Sequence, residues 1–355
     1  MRQLPLFPAS VVGSLPRPQH VRELIGKPSW NEAEERAMDA AIRYAVSMQE
    51  MAGLDVVTDG EWRRRSYIGV IAELAHGFAL ELNVADGRPW TVVTDKLSPK
   101  EPGFIAREAK FLKEVARAAT KITLPAPALL GERLWHPVRS RKAYPERDDF
   151  VRDCVAPLRR EIELIRDIGI DIVQIDDPHL CLFVDPGVRK AYEDPDRAAD
   201  FAVEMINELV DGFTGVKFAV HLCRRAGARV RGEKHHAGTY GPILPQLNRL
   251  KVQHLTMEFT AAGADDLESL GRLREDFELG LGVVDVTPGT QEDAARIVAR
   301  IERALQRVDA GRITLNPDCG FAPGSAAKVD IDEVYQKLRA EAEAARMLRA
   351  ARGRA

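Results

Sequence analysis

The chain has only four cysteines in 355 residues. They are widely separated in sequence: Cys154, Cys181, Cys223 and Cys319. So sparse a set cannot form a disulfide framework in a protein of this length, and it indicates reduced thiols. Hydrophobic runs long enough to span a bilayer are also lacking, as is an apolar segment of signal-peptide length near the N-terminus. These absences favour a cytoplasmic protein whose thiols can act as metal ligands or nucleophiles.

An excess of charge of one sign is lacking as well. The chain carries 51 Lys and Arg against 54 Asp and Glu, for a formal net charge of −3. This balance gives no electrostatic basis for binding nucleic acid or an anionic membrane surface, so we predict neither as a partner. The local cluster Arg63, Arg64 and Arg65 is most simply interpreted as a solvated face.

Short β-rich runs alternate with longer amphipathic helical stretches along the chain. Eight runs have the apolar composition of strands: residues 10–15, 54–60, 121–127, 170–178, 216–223, 253–259, 279–286 and 312–320. Nearly continuous apolar strands that alternate with helices are typical of a parallel sheet covered on both faces. Eight such units predict an α/β fold, a single (β/α)8 TIM barrel, whose active site lies at the carboxyl ends of the strands.

The segments between these runs predict helices, among them residues 31–53, 148–169, 194–212 and 290–308. Gly53 is expected to end the first of them, and Pro157 to interrupt the second. The interval 62–120 is longer than one crossover requires, and it predicts an excursion over the barrel mouth. The tail at 328–355 is helical by propensity. We find no boundary that divides the chain, and we predict one domain over residues 1–355.

Side chains that can bind metals follow several predicted strands. His221 and Cys223 are two residues apart, so on a strand both side chains point to the same side. Cys319 ends the last predicted strand, and Glu258 ends the strand after His221. One histidine, two cysteines and a glutamate or water suit a tetrahedral Zn²⁺ ion. The cysteines could instead be small apolar core residues, but four donors at neighbouring strand ends favour a metal.

The motifs that carry these residues form a specific combination. In chain order they are VVGSLPRP, GLDVVTDGEW, VQIDDPHL, VHLC, MEFT, GLGVVDV and NPDCGF, over residues 10–325. In this combination the sequence resembles the catalytic C-terminal barrel of the cobalamin-independent methionine synthases. It is also similar to their short single-barrel relatives, including the epoxyalkane:coenzyme M transferases. The resemblance implies a TIM barrel of the general type shared with uroporphyrinogen decarboxylases, in agreement with the strand count.

The resemblance also implies roles for individual residues. The zinc ligands would be His221, Cys223, Glu258 and Cys319. The amino-acid substrate would be held by Ser14 in GSLPRP, Glu61 in DGEW and Asp176 in QIDDP. Glu258 and Asp176 are expected to act in catalysis, Glu258 as a labile zinc ligand that the incoming thiol displaces. A thiol bound to zinc loses its proton and becomes the nucleophilic thiolate.

The predicted function is therefore zinc-dependent transfer of a methyl group to a homocysteine-like thiol, which gives a thioether. The donor stays open between a methyl-folate, a methylated corrinoid protein acting as partner, and an epoxide. Glu61 and Asp176 suit the α-ammonium of an amino-acid thiol, whereas Arg17 or the arginines at 63–65 could bind the sulfonate of coenzyme M. Epoxide-dependent alkylation of coenzyme M is one alternative, and a non-catalytic zinc- or thiol-binding protein is another.

Two further features bear on the donor. Thr287 and Pro288 follow the GLGVVDV strand, where the methionine synthases have a histidine associated with proton transfer. In this chain, either no residue has this proton-transfer role or another residue takes it. Trp62, beside Glu61, could stack on a flat donor such as a pterin, or it could pack in the core.

Overall fold

Parallel strands and helices alternate around a closed barrel in the computed structural model. The structure describes residues 2–27, 29–82, 89–224, 236–260, 263, 265–290, 292–322 and 330–353. Its strands are β1 Val56–Val57, β2 Ala75–Leu82, β3 Pro89–Pro99, β4 Ala119–Pro125, β5 Ile172–Asp176, β6 Lys217–Leu222, β7 His254–Glu258, β8 Glu278–Val284 and β9 Ile313–Pro317. Seven of them form one parallel sheet in the order β1, β4, β5, β6, β7, β8, β9, whereas β2 and β3 form an antiparallel hairpin.

The segment at residues 9–10 closes the ring between the first and last strands of this sheet. Ala9 pairs with Leu315 in β9, and Ser10 pairs with Val56 in β1, both in parallel. With this eighth position filled, the fold is the predicted (β/α)8 barrel.

The first two predicted strands are shorter than expected because side chains occupy their backbone groups. In the run at 10–15, the hydroxyl of Thr58 donates to the carbonyl of Gly13 at 2.8 Å. In the run at 54–60, the Gln49 side chain accepts the N–H of Thr58 at 3.0 Å and donates to its carbonyl at 2.8 Å. Hydrogen bonds of this kind compete with the sheet ladder.

Helices cover the outside of the barrel. They are α1 Gln19–Ile25, α2 Glu32–Ala52, α3 Ile71–Leu74, α4 Phe104–Val115, α5 Pro127–Leu134, α6 Arg147–Asp153, α7 Val155–Ile168, α8 Pro178–Leu182, α9 Pro186–Arg189, α10 Pro195–Val210, α11 Leu244–Leu247, α12 Leu267–Leu270, α13 Ala294–Ala304 and α14 Ile331–Ala351. Short 3-10 helices cover Gly241–Ile243 and Ala310–Arg312. Within the described ranges, no helix is both long and apolar enough to cross a membrane.

Local sequence signals place the ends of several helices. At the start of α2, Asn31 accepts the N–H of Glu34 while the Glu34 carboxylate accepts the N–H of Asn31, which is a capping box. Gly53 ends α2 in the left-handed conformation, as predicted. The predicted helix at 148–169 is also interrupted, but the break falls at Cys154 and not at Pro157 as predicted. Pro157 lies in the first turn of α7, where a proline is tolerated.

The interval 62–120 contains the β2–β3 hairpin and α4. The hairpin packs on the segment that follows β4. The Trp90 indole donates to the carbonyl of Arg133 at 3.0 Å, and the Ser140 hydroxyl donates to the carbonyl of Val93 at 2.6 Å. That this interval passes over the barrel mouth stays a prediction. The contacts favour it, because the hairpin bonds to residues of and after α5, and α5 begins at the carboxyl end of β4.

Candidate metal centre and substrate pocket

The register of the sheet determines which polar side chains meet. Asp176, the last residue of β5, pairs directly with His221 of β6. One step beyond the paired residues of β6 and β7, Cys223 comes beside Glu258. Since all strands of the barrel run in parallel, these four residues lie at the same end, the carboxyl end.

Cys319 reaches this group across an intervening strand. It follows β9, and β8 lies between β9 and β7. The close approach depends on Gly282 in β8, because a Cβ there would come within 2.6 Å of Asp318 Oδ1. The same Asp318 oxygen accepts two backbone N–H groups just past β7, at 2.9 and 3.0 Å. Asp318 thus joins the ends of β9 and β7 over β8 and brings Cys319 to Cys223.

His221, Cys223 and Cys319 form a buried cluster. Their potential ligand atoms all lie within 4.8 Å of one another. The two sulfurs are 3.4 Å apart, and Cys223 Sγ is also 3.4 Å from Glu258 Oε1. The structure therefore brings together the four residues predicted as zinc ligands, with Glu258 adjoining the cluster through Cys223.

Asp176 orients the histidine of this cluster. Its Oδ1 lies 3.0 Å from His221 Nδ1 and accepts a second bond from Gln174 Nε2 at 2.8 Å. Burial alone lowers the pKa of His221, but the bond to Asp176 and the neighbouring Cys319 outweigh burial and raise that pKa to about 10. A hydrogen bond from Cys223 lowers the pKa of Cys319 to about 5. The cluster therefore favours the thiolate, which is the form that binds metals.

The donor set fits a zinc ion. Because Asp176 occupies Nδ1 of His221, the buried Nε2 is the ring nitrogen available as a ligand. Two sulfurs and an imidazole nitrogen, with a carboxylate oxygen next to them, are the donors that zinc takes in tetrahedral sites. A carboxylate on the other nitrogen of a metal-binding histidine, here Asp176, is the usual outer partner.

Ser14 lies at the junction of the first and last segments of the barrel. Its Oγ accepts the N–H of Ala322 at 3.3 Å, and its carbonyl accepts the N–H of Phe321 at 2.9 Å. These bonds hold Ser14 against the segment that begins with Cys319. The predicted substrate residue is thus beside the metal cluster.

Glu61 has an unusual backbone conformation, with φ at 59°. Its N–H donates to Asp59 Oδ1 at 2.9 Å, and its buried carboxylate accepts the hydroxyl of Thr123 at 2.7 Å. Burial raises the pKa of Glu61, and the nearby Asp176 and Asp59 add to that rise while Arg64 opposes it. A non-glycine residue in the left-handed region is uncommon, and such conformations cluster at functional sites.

The residues around Glu61 bear on three sequence interpretations. Arg64 does not lie on a solvated face: it is buried, and its Nε donates to Glu108 at 2.8 Å. Arg17 donates to two backbone carbonyls of the same loop, at 2.8 and 2.9 Å, so the protein's own acceptors engage both arginines. Trp62 is fully buried and packs in the core, which leaves no ring face for a donor.

Sequence reasoning missed two residues, Arg224 and Tyr240. Arg224 is fully buried, and its backbone N–H donates to Glu258 Oε1 at 3.0 Å. Its guanidinium lies over the Tyr240 ring, 4.2 Å from the centroid, and the Tyr240 hydroxyl donates to the carbonyl of Glu258 at 3.0 Å. The available signal was an arginine directly after Cys223, but a charge past a strand end normally indicates a solvated loop.

Comparisons with known proteins identify the family of this chain. Residues 7–347 match the family described as "Cobalamin-independent synthase, Catalytic domain". A methionine synthase of Saccharolobus solfataricus is 31% identical over 362 residues, which cover 98% of this chain and 97% of that protein. A methionine synthase of Sulfolobus acidocaldarius is 28% identical over 332 residues, which cover 90% of this chain and 87% of that protein.

Solved structures share the fold. A B12-independent methionine synthase from Shewanella sp. W3-18-1, in complex with selenomethionine, has a TM-score of 0.80 at 22% identity and covers 98% of both chains. A methyltransferase from Methanosarcina mazei has a TM-score of 0.56 at 14% identity, over 97% of this chain and 95% of that chain. Because the family match spans residues 7–347, this chain belongs to the family of cobalamin-independent synthase catalytic domains.

Proposed function

We propose that the protein is a zinc-dependent methyltransferase that transfers a methyl group to the thiol of homocysteine or a closely similar amino-acid thiol. The observation that carries the proposal is the buried cluster of His221, Cys223 and Cys319, with ligand atoms within 4.8 Å of one another. Family membership and relatives named methionine synthase support it. The selenomethionine bound to the Shewanella protein is the selenium analogue of the expected product.

The surroundings of this cluster favour metal binding. Zinc held by His221, Cys223 and Cys319, with Glu258 as the labile fourth ligand, would supply a soft Lewis acid that converts the substrate thiol into a thiolate. Asp176 holds His221 through Nδ1 and so leaves Nε2 as the donor atom. Burial of all these side chains keeps water from the reacting sulfur.

Buried carboxylates would bind the amino group of the substrate. Glu61 and Asp176 are both buried, and Asp59 adds a third carboxylate that acts on Glu61. Arg64 opposes this negative charge, but it is itself paired with a carboxylate. An entering α-ammonium would therefore offset excess negative charge and form charge-assisted hydrogen bonds. Ser14 is expected to complete this pocket beside the cluster.

The donor proposed here is a methyl-folate. The matched family is cobalamin-independent, so the corrinoid-protein partner gains no support from the comparisons. An epoxide donor and coenzyme M as acceptor are the alternatives that the test must separate.

The test begins with zinc measured by mass spectrometry in protein purified without chelators. Homocysteine and coenzyme M are then each combined with methyl-folate, methylcobalamin and an epoxide, and thioether formation is followed. We expect one zinc per chain and methionine from homocysteine and methyl-folate. Turnover of coenzyme M with an epoxide, with homocysteine inert, would replace the proposal by thiol alkylation. Zinc and thiol binding without product from any donor would leave a binding protein.

A further inference from the structure

Arg224 is a buried charge with few partners. It is fully buried, and none of its three guanidinium nitrogens has a hydrogen-bond partner in the ranges that the structure describes. Contact with the Tyr240 ring compensates part of the lost hydration. A guanidinium has five N–H donors, and burying them unbonded is unfavourable. Such a group is suited to an acceptor that arrives in another state of the protein.

One acceptor beside this guanidinium is the carboxylate of Glu258. Its Oε2 lies 3.9 Å from Arg224 Nη1, while its Oε1 lies 3.4 Å from Cys223 Sγ. The carboxylate thus stands between the sulfur cluster and the guanidinium. A movement of roughly 1 Å would shorten the first distance to that of a charge-assisted hydrogen bond.

The backbone permits this movement of the side chain alone. Glu258 ends β7, and its carbonyl accepts the Tyr240 hydroxyl at 3.0 Å. The main chain is therefore fixed on the sheet. Rotation about the side-chain bonds of Glu258 changes its partner without moving Cys223.

We propose that Arg224 receives the Glu258 carboxylate when the substrate thiol displaces that carboxylate from the metal. The inference rests on the proposed function, because it requires a metal that Glu258 can leave. Arg224 is a positioning residue and does not contact substrate. It stabilises the thiol-bound state, since the guanidinium compensates the charge of the displaced carboxylate in a buried site. No bond to the transferred group is made or broken in this step.

The experiment is a double-mutant cycle of Arg224→Gln and Glu258→Gln, with homocysteine affinity of the zinc-loaded proteins measured by calorimetry. Arg224→Gln alone is expected to weaken thiol binding about ten- to hundred-fold, because a charge-assisted bond is lost. Arg224→Lys should recover part of the lost affinity, since lysine keeps the positive charge but lacks the planar guanidinium that can donate two parallel hydrogen bonds. In the Glu258→Gln background, Arg224→Gln should have little further effect, because the pair acts as one unit.

Controls separate this role from folding and from metal binding. Arg189→Gln alters an arginine that is paired with Asp196 at 2.8 Å, outside the metal cluster, and it should change thiol affinity by no more than about twofold. Zinc release to a chelator, measured without thiol, should not be faster in Arg224→Gln than in the wild type. Circular dichroism checks that each variant is folded.

Four results would overturn the inference. Arg224→Gln could bind homocysteine as tightly as the wild type, or its effect could persist undiminished beside Glu258→Gln. An effect confined to thiols with a carboxylate or sulfonate, judged against an uncharged thiol such as propanethiol, would instead make Arg224 a site for the substrate anion. A wild-type protein that binds neither zinc nor thiol would refute the proposed function itself, and this inference with it.

Discussion

The two ends of the barrel both bury polar residues, but they pair them differently. At the amino end, Lys121 Nζ donates to the Ser10 hydroxyl at 3.1 Å, and His254 Nε2 lies 3.2 Å from the Thr314 hydroxyl. These residues line a cavity of about 10 Å³, which is the size of one water molecule. At the carboxyl end, by contrast, buried cationic groups face carboxylates: His221 Nδ1 lies 3.0 Å from Asp176 Oδ1, and Arg224 Nη1 lies 3.9 Å from Glu258 Oε2.

The two ends also differ in the charge of their buried side chains. Burial lowers the pKa of Lys121 to about 8 and that of His254 to about 3, so the amino end disfavours charge and keeps His254 neutral at pH 7. At the carboxyl end, a carboxylate stands against a cationic group or a metal ligand. We therefore expect the amino end to contribute stability and the carboxyl end chemistry, as is general for this fold.

The largest effect is expected from Cys319→Ser. Zinc should be lost, and methyl transfer should fall more than about hundred-fold, because removing a ligand exceeds the effect of removing an outer partner. Zinc analysis and turnover measure the two losses. Cys154→Ser is the matched control, since Cys154 is a buried cysteine between α6 and α7, and it should keep its zinc. A Cys319→Ser variant with the zinc content and turnover of the wild type would contradict a metal at this cluster.

Asp176→Asn should weaken zinc binding about ten- to hundred-fold, because the bond that orients His221 loses its charge. Competition with a chromophoric chelator measures this affinity. Zinc affinity equal to that of the wild type would mean that the Asp176–His221 bond does not serve the metal.

Glu61→Gln should lower kcat/KM for homocysteine about ten- to hundred-fold, through the lost bond to the α-ammonium. Zinc content should not change. The comparison substrate is 4-mercaptobutyrate, which has the thiol and the carboxylate but no amine. If its turnover falls as much as that of homocysteine, Glu61 does not bind the amino group.

At the amino end, Lys121→Met should lower the free energy of unfolding by about 1–3 kcal/mol, because the Ser10 hydroxyl loses its buried donor. Urea denaturation measures this change. Zinc content and turnover should stay at wild-type values, in contrast with the three variants above. A selective loss of turnover in a stable Lys121→Met protein would contradict the division between the two ends.

The smallest effect concerns acid stability at the same end. His254 faces Lys121, Lys217 and Glu278, and its pKa is lowered from 6.5 to about 3 by burial and by the two lysines. The unfolded chain therefore takes up the proton first, so the contribution of His254 is complete above pH 6.5 and decreases as the pH falls towards 3. The difference in unfolding free energy between wild type and His254→Asn should be larger at pH 7 than at pH 4.5. An equal difference at both values would contradict the assignment.

Local patterns predicted the seven strands of the parallel sheet, the long helices α2, α7, α10 and α13, and the residues of the cluster, but not the β2–β3 hairpin. Asn31 and Gly53 bounded α2 because capping depends on residues close in sequence. The partners of the cluster could not be predicted in this way. Pairing of Asp176 with His221 depends on the register between two strands, and the approach of Cys319 depends on a glycine in the strand between. Burial of Arg224 depends on packing against Tyr240, a residue far from it along the chain.

Zinc K-edge X-ray absorption, recorded with and without homocysteine, would show whether a metal at this cluster binds the substrate thiol. We expect two sulfur neighbours at about 2.3 Å in the protein alone, together with nitrogen and oxygen donors. With homocysteine a third sulfur should appear at the same distance while an oxygen neighbour is lost. A number of sulfur neighbours that does not change on adding homocysteine would contradict the claim that this cluster activates the substrate thiol.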